Sequence, residues 1–161
     1  MQGEAMIHAS ARIEQGVTLK GPMIIGPKCF IGAHAYLRGG VYLDEKVSIG
    51  PGCEIKSSIL FTEAAAAHFN FIGDSIVGRE VNFEAGSITA NHYNERTDKR
   101  IFVKLADQSL DTGVIKFGAL IGDGSRIGAN AVLSPGTLLQ PASTVGRLEL
   151  VEQNPLESPT N

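Results

Sequence analysis

Three basic residues and one histidine have the spacing most suggestive of chemistry. Lys20, Arg38 and Lys56 are evenly spaced, each eighteen positions after the last, and His68 stands twelve positions further on. Arginine offers a planar fork of donors and lysine a point-like ammonium, both suited to phosphate oxygens. Like charges stacked about 5 Å apart repel, so such a ladder calls for an anion or for nearby carboxylates. It reads either as an anion site or as a solvated stripe balanced by neighbours such as Glu54. A histidine that is neutral near pH 7 can take a proton from an attacking nucleophile; it can equally be an ordinary polar residue. His8, His34, His68 and His92 are scattered and contain no close pair, so no metal site is expected.

What could bring such widely spaced residues together is a repeat. Every sixth residue from Ile7 is aliphatic: Ile7, Ile13, Leu19, Ile25, Ile31, Leu37, Leu43, Ile49 and Ile55. Four positions after each comes Ala11, Val17, Met23, Cys29, Ala35, Val41, Val47, Cys53 or Ile59. Neither a helix of period 3.6 nor an alternating strand produces this pattern. A coil with three flat sides of one hexapeptide each does, with the large aliphatic pointing inward and the smaller residue near a corner. Three hexapeptides then complete one turn, and successive turns pair as parallel strands about 4.8 Å apart. The fold expected is all-β, a single-stranded left-handed parallel β-helix, in which Lys20, Arg38 and Lys56 share one outer wall.

The step of six continues through Phe71, Val77, Phe83 and Thr89, then through Ile121, Ile127, Leu133, Leu139 and Val145. Two segments break it. FTEAAAAHFN (residues 61–70) carries four alanines and is expected to bulge as a loop. Residues 91–117 contain KRIFVKL and GVIKFG around ADQSLDTG, which reads as a protruding hairpin. Cys29 and Cys53 are four hexapeptides apart, not a multiple of three, so they are expected on different sides as buried thiols. The domain reading is a β-helix over residues 1–150, with the insertion at about 91–117, and a polar tail over 151–161 that is expected to be disordered.

Composition narrows the function classes. In 161 residues, aromatics make up 6% and tryptophan is absent, so the core must be aliphatic; the net charge of −3 argues against nucleic-acid binding. No apolar run approaches the ~20 residues that span a bilayer, and the first five residues lack signal-peptide features, so no membrane partner and a cytoplasmic location are expected.

The stretch HFNFIGDSIVGREVNFEAGSITANHYN (residues 68–94) resembles the acetyltransferase domain of bifunctional glucosamine-1-phosphate acetyltransferase/N-acetylglucosamine-1-phosphate uridyltransferase. AYLRGG and CEIKSS resemble that family's phosphate-binding segments, at the same intervals to the histidine. KFGALIGDGSRIGANAVLSPGT is similar to the C-terminal β-helix of archaeal-type sugar-1-phosphate nucleotidylyltransferases. The resemblance implies acetyl-CoA as co-substrate, with His68 as base and Asn91 beside the thioester. It implies Arg38, Lys56, Phe71 and Asn82 around an amino sugar phosphate, with Asn91, His92 and Ala129 along the cofactor. It also implies a homotrimer with sites between subunits. Phe71 stands where the family has tyrosine, His92 replaces the tyrosine of its Asn-Tyr pair, and Thr97 occupies the spacing of a family lysine.

The leading functional reading is N-acetyl transfer from acetyl-CoA to a glucosamine-1-phosphate-like acceptor, by a stand-alone enzyme without a nucleotidylyltransferase domain. A non-catalytic trimerising or ligand-binding module, and an O-acyltransferase acting on another sugar, are the alternatives.

Overall fold

A computed structural model describes residues 4–153. The side-wall strands are mostly two or three residues long, and every pairing among them is parallel. Two of the three sides form a 12-stranded sheet, because Tyr36–Leu43 and Glu54–Leu60 each run around a corner; the remaining side is a 7-stranded sheet. The chain is a hexapeptide-repeat parallel β-helix.

Three inward columns fill it. Ile25, Leu43, Leu60, Val77 and Ile121 register along the first side. Ile31, Ile49, Ala66, Phe83 and Ile127 register along the second. Leu37, Ile55, Ile72, Thr89 and Leu133 do so along the third. Cys29 and Cys53 lie on different sides as free, buried thiols, and burial pushes both above the usual thiol pKa.

The period is not uniform. Leu43 registers with Leu60, and Leu60 with Val77, each step one position short of three full hexapeptides. The lost residue is at one corner, where the register slips between Arg38 and Val41. Gly39 and Gly40 turn it with φ of 73° and 89°, whereas Ser57 (47°) and Asp74 (48°) each turn it with a single left-handed residue. Ile72, not Phe71, therefore points inward, and Phe71 faces out.

The alanine segment does not bulge. Ala65–Ala66 is a strand between Ser48–Ile49 and Asn82–Phe83, and Ala66 is buried against Phe83 in the column. A small residue beside a large one keeps the layer filled. The hairpin is antiparallel, but its strands are Phe102–Leu105 and Gln108–Asp111, with the turn at Ala106 and Asp107; GVIKFG is not its second strand. After Arg147 the repeat continues for one more strand, Leu150–Val151, paired to Val132–Leu133. The expectation for residues 154–161 lies outside the described residues. Among the described residues no helix is long and apolar enough to cross a membrane.

Candidate active site

The third side carries the cation ladder. Lys20, Arg38 and Lys56 are register neighbours, and the next position along is Gly73. Their mutual repulsion is relieved locally. Lys20 and Arg38 lie 5.3 and 5.6 Å from the Tyr36 ring centroid, and Arg38 Nε donates to Glu54 Oε1 at 2.7 Å. Lys56 Nζ donates to both oxygens of Asp74, at 2.6 and 2.9 Å. Asn91 Nδ2 donates to the same Asp74 Oδ2.

Gly73 is buried beneath the side chains that gather here, and only a glycine leaves them room. A Cβ there would lie 2.6 Å from Phe71 Cζ and 2.9 Å from Asn91 Nδ2. Arg38, Lys56, Phe71 and Asn91 thus converge on one patch of wall. The patch is held from behind by a buried hydroxyl network: Gly73 N–H donates to Thr89 Oγ1 (3.0 Å), Ser75 Oγ donates to Gly73 O (2.8 Å) and accepts from Ala119 N–H (3.0 Å). These hydroxyls satisfy backbone groups where the insertion interrupts the ladder, a buried accounting that must close. The Asp74 backbone is pinned on both sides, its N–H to Lys56 O and its O to Gly118 N–H, each at 2.8 Å. Phe117 N–H to Asn91 O (3.0 Å) closes the base of the insertion.

His68 stands elsewhere. It is exposed at the corner that precedes the third side, whereas Asp74 turns the corner that follows it. One side of the prism, on the order of 15 Å, separates it from Asn91 within a chain. Its N–H donates to Asn70 Oδ1 (3.1 Å); Asn70 is buried, and its Nδ2 is spent on Glu84 O (2.7 Å) and Ser87 Oγ (2.8 Å). The edge runs on from His68 through Ala85 to Ala129 and Leu148 by backbone bonds between successive turns.

Asn82 is on the second side, in a groove of about 410 Å³ with Glu84, Arg126 and Arg147, and not on the Lys56 wall. Glu84 Oε2 accepts from Ala129 N–H (2.9 Å) and from Arg147 Nε (2.8 Å). Arg147 above all, and then the Ala129 N–H, bring the Glu84 pKa down to about 2. His92 is exposed at the start of the insertion.

Sequence reasoning missed Asp74, Glu84 and Arg147. A signal for Asp74 was present: it stands three hexapeptides after Lys56, so the series of cations ends on a carboxylate. For Glu84 and Arg147, far apart in the chain and on either side of the insertion, no spacing announced the pair.

A model of the bacterial transferase hexapeptide (six repeats) matches residues 22–57, and one of the hexapeptide repeat of succinyl-transferase matches residues 111–141. A putative uncharacterised acetyltransferase of Escherichia coli strain K12 is 35% identical over 153 residues, covering 94% of this chain and 65% of that protein. A bifunctional sugar-1-phosphate nucleotidylyltransferase/acetyltransferase of Sulfurisphaera tokodaii is 34% identical over 137 residues, 84% of this chain and 33% of that one. A bifunctional protein GlmU of Desulfitobacterium hafniense is 36% identical over 128 residues, 80% of this chain and 27% of that one. The chain thus spans from 27% to 65% of the length of these relatives.

Proposed function

We propose, on the premise that this chain resembles the acetyltransferase domains of GlmU and of sugar-1-phosphate nucleotidylyltransferase/acetyltransferases, that it transfers acetyl from acetyl-CoA to the amine of a sugar phosphate. The observation that carries the reading is the convergence of Arg38, Lys56, Phe71 and Asn91 on the wall over the buried Gly73. Two cations bind the phosphate by exchanging part of their hold on Glu54 and Asp74. The amine nitrogen attacks the thioester carbon, a C–N bond forms and the C–S bond breaks. His68 takes the amine proton and returns it to the sulfur, releasing CoA thiol. The edge from His68 past Ala129, with Arg126 and Arg147 beside it, is our path for the cofactor, with His92 next to Asn91 along it; Asn82 shares the groove of Arg126 and Arg147 and so moves from the sugar to this path.

Because His68 and Asn91 stand at opposite ends of one side, the reading needs a second copy to bring a His68 to an Asn91. An outward stripe supports a homotrimer: Met6, Ile24, Tyr42, Ile59, Ile76 and Leu120 are register neighbours along the first side, and all but Tyr42 are exposed. Apolar rows this long rarely face water unpartnered. The corner bearing Asp74 borders this stripe, which supports a site at the boundary between subunits. We assign the protein to the cytoplasm.

The test is thiol release from acetyl-CoA with a panel of amino sugar phosphates. Turnover lost in His68→Ala, and phosphorylated acceptors weakened selectively in Arg38→Ala and Lys56→Ala, is the expected result. A second reading, a non-catalytic trimerising or ligand-binding module, is favoured by the carboxylate already on each cation and by the missing hydroxyl at Phe71. It predicts binding of sugar phosphates with no thiol release.

A further inference from the structure

We infer that Asp74 is a positioning residue that makes the site select an amine over a hydroxyl acceptor, by holding the Asn91 amide with its carbonyl oxygen turned to the acceptor. This rests on the acyltransferase reading above.

A carboxylate is an acceptor only, so the Asn91 atom facing Asp74 Oδ2 must be the amide nitrogen. The amide cannot turn over without setting two acceptors against each other. Asp74 is itself immobile, since both of its oxygens accept from Lys56 and its backbone is pinned to Lys56 O and Gly118 N–H. Asn91 cannot slide either, because its own carbonyl accepts from Phe117 N–H. Oδ1 of Asn91 therefore points away from Asp74, and no described residue donates to it. Asn91 is half-buried, and Phe71 beside it supplies neither donor nor acceptor. The polar groups on this patch are the Arg38 guanidinium, the Lys56 ammonium, the Asp74 carboxylate and the Asn91 amide, whose oxygen is the one acceptor among them to which no described residue donates.

That oxygen distinguishes nucleophiles by counting hydrogens. A neutral amine carries two, gives one to the base on attack and keeps one on the nitrogen that becomes the amide N–H. The retained hydrogen gains positive character in the transition state and needs an acceptor. A hydroxyl has one hydrogen, which goes to the base, so Asn91 Oδ1 would face an ester oxygen with nothing to donate. An acceptor aimed where charge develops favours the first and disfavours the second.

The test compares glucosamine 1-phosphate with glucose 1-phosphate, which differ at the nucleophile, in the wild-type chain and in Asp74→Asn and Asp74→Glu. Asparagine at 74 presents oxygen or nitrogen equally, freeing the Asn91 amide. The expected result is a fall in kcat for the amine of roughly ten- to hundredfold, the range for a lost hydrogen bond at a charged centre. KM for acetyl-CoA should stay unchanged, and Asp74→Glu should recover part of the loss. Equal loss on both acceptors, no loss, or a wild-type preference for the hydroxyl would overturn the inference. In parallel, the side-chain NH₂ proton signals of Asn91 are compared by NMR. A downfield signal in the wild-type protein that is lost in Asp74→Asn supports the assigned orientation, and identical spectra refute it. If the wild-type chain acetylates neither acceptor, the functional reading fails, while the NMR comparison still decides the orientation.

Discussion

Lys56 Nζ stands 2.6 Å from Asp74 Oδ2, and the two side chains are only 15% and 19% exposed. A largely buried pair is costly to break on one side, because the remaining charge keeps its desolvation penalty. Lys56→Met and Asp74→Asn should each destabilise, and the double variant should lose less than the sum. A coupling of about 1–3 kcal/mol is expected from a double-mutant cycle in urea. Strict additivity would mean that the contact contributes nothing in solution.

Gly73 and Gly50 make a controlled comparison. A Cβ at Gly50 would run into the Ala67 carbonyl, which is backbone and cannot move aside; at Gly73 it meets the tips of Phe71 and Asn91. Gly50→Ala should therefore cost stability, on the order of 2–3 kcal/mol, measured by thermal unfolding. Gly73→Ala should cost much less, yet reduce thiol release by displacing the Asn91 amide. If Gly73→Ala retains full turnover, the wall over Gly73 is not where the acceptor sits.

Phe83→Ala should be among the most damaging substitutions in the core. Its register neighbour Ala66 has no side chain to fall into the space, so a cavity persists; a loss of about 3–5 kcal/mol is expected from chemical denaturation. The same pair shows what the sequence could and could not reveal. Nine aliphatics in step from Ile7 to Ile55 disclosed the coil and the shared wall of Arg38 and Lys56. The alanines were misread as a loop because the pattern was asked for a large residue at every inward position, whereas packing asks only for the summed volume of neighbours. Phe71 was misread as inward because corner length carries no hydrophobic signature: Ser57 and Asp74 do with one left-handed residue what Gly39 and Gly40 do with two. The site was legible to the extent that it follows the register of three hexapeptides per turn. The Asn91–Asp74 contact depends on a shortened turn and on an insertion that leaves after Asn91, neither of which has a period.

The Glu84 carboxyl makes stability depend on pH. Its folded pKa, about 2, is below the usual 4.5 because of Arg147 and the Ala129 N–H. A depressed carboxyl contributes stability that is fully present above its unfolded pKa and is lost as pH falls through the folded one. The stability difference between the wild-type chain and Glu84→Gln should hold constant above pH ~5 and shrink as the pH falls from 4.5 to about 2. A difference independent of pH, followed by urea unfolding across that range, would show that the Glu84–Arg147 pair is not formed in solution.

The proposed homotrimer is tested by mixed assemblies, which reveal which chains supply the two reacting ends of the site. Within one chain His68 and Asn91 are separated by a full side of the prism, so neither His68→Ala nor Asn91→Ala trimers should turn over. Their co-expressed mixture should. In the proposed threefold ring each site would join one corner of a chain to the opposite corner of its neighbour, and random mixing at equal amounts would give about a quarter of the sites both intact residues. Recovery near that fraction of wild-type thiol release is the expected outcome, with trimers verified by light scattering. Replacing Ile59 by glutamate, in the middle of the aliphatic stripe, should dissociate the trimer and abolish the recovery along with it. A mixture as inactive as its parents, despite confirmed mixed trimers, would place both residues in the same chain's site and remove the boundary between subunits from the mechanism.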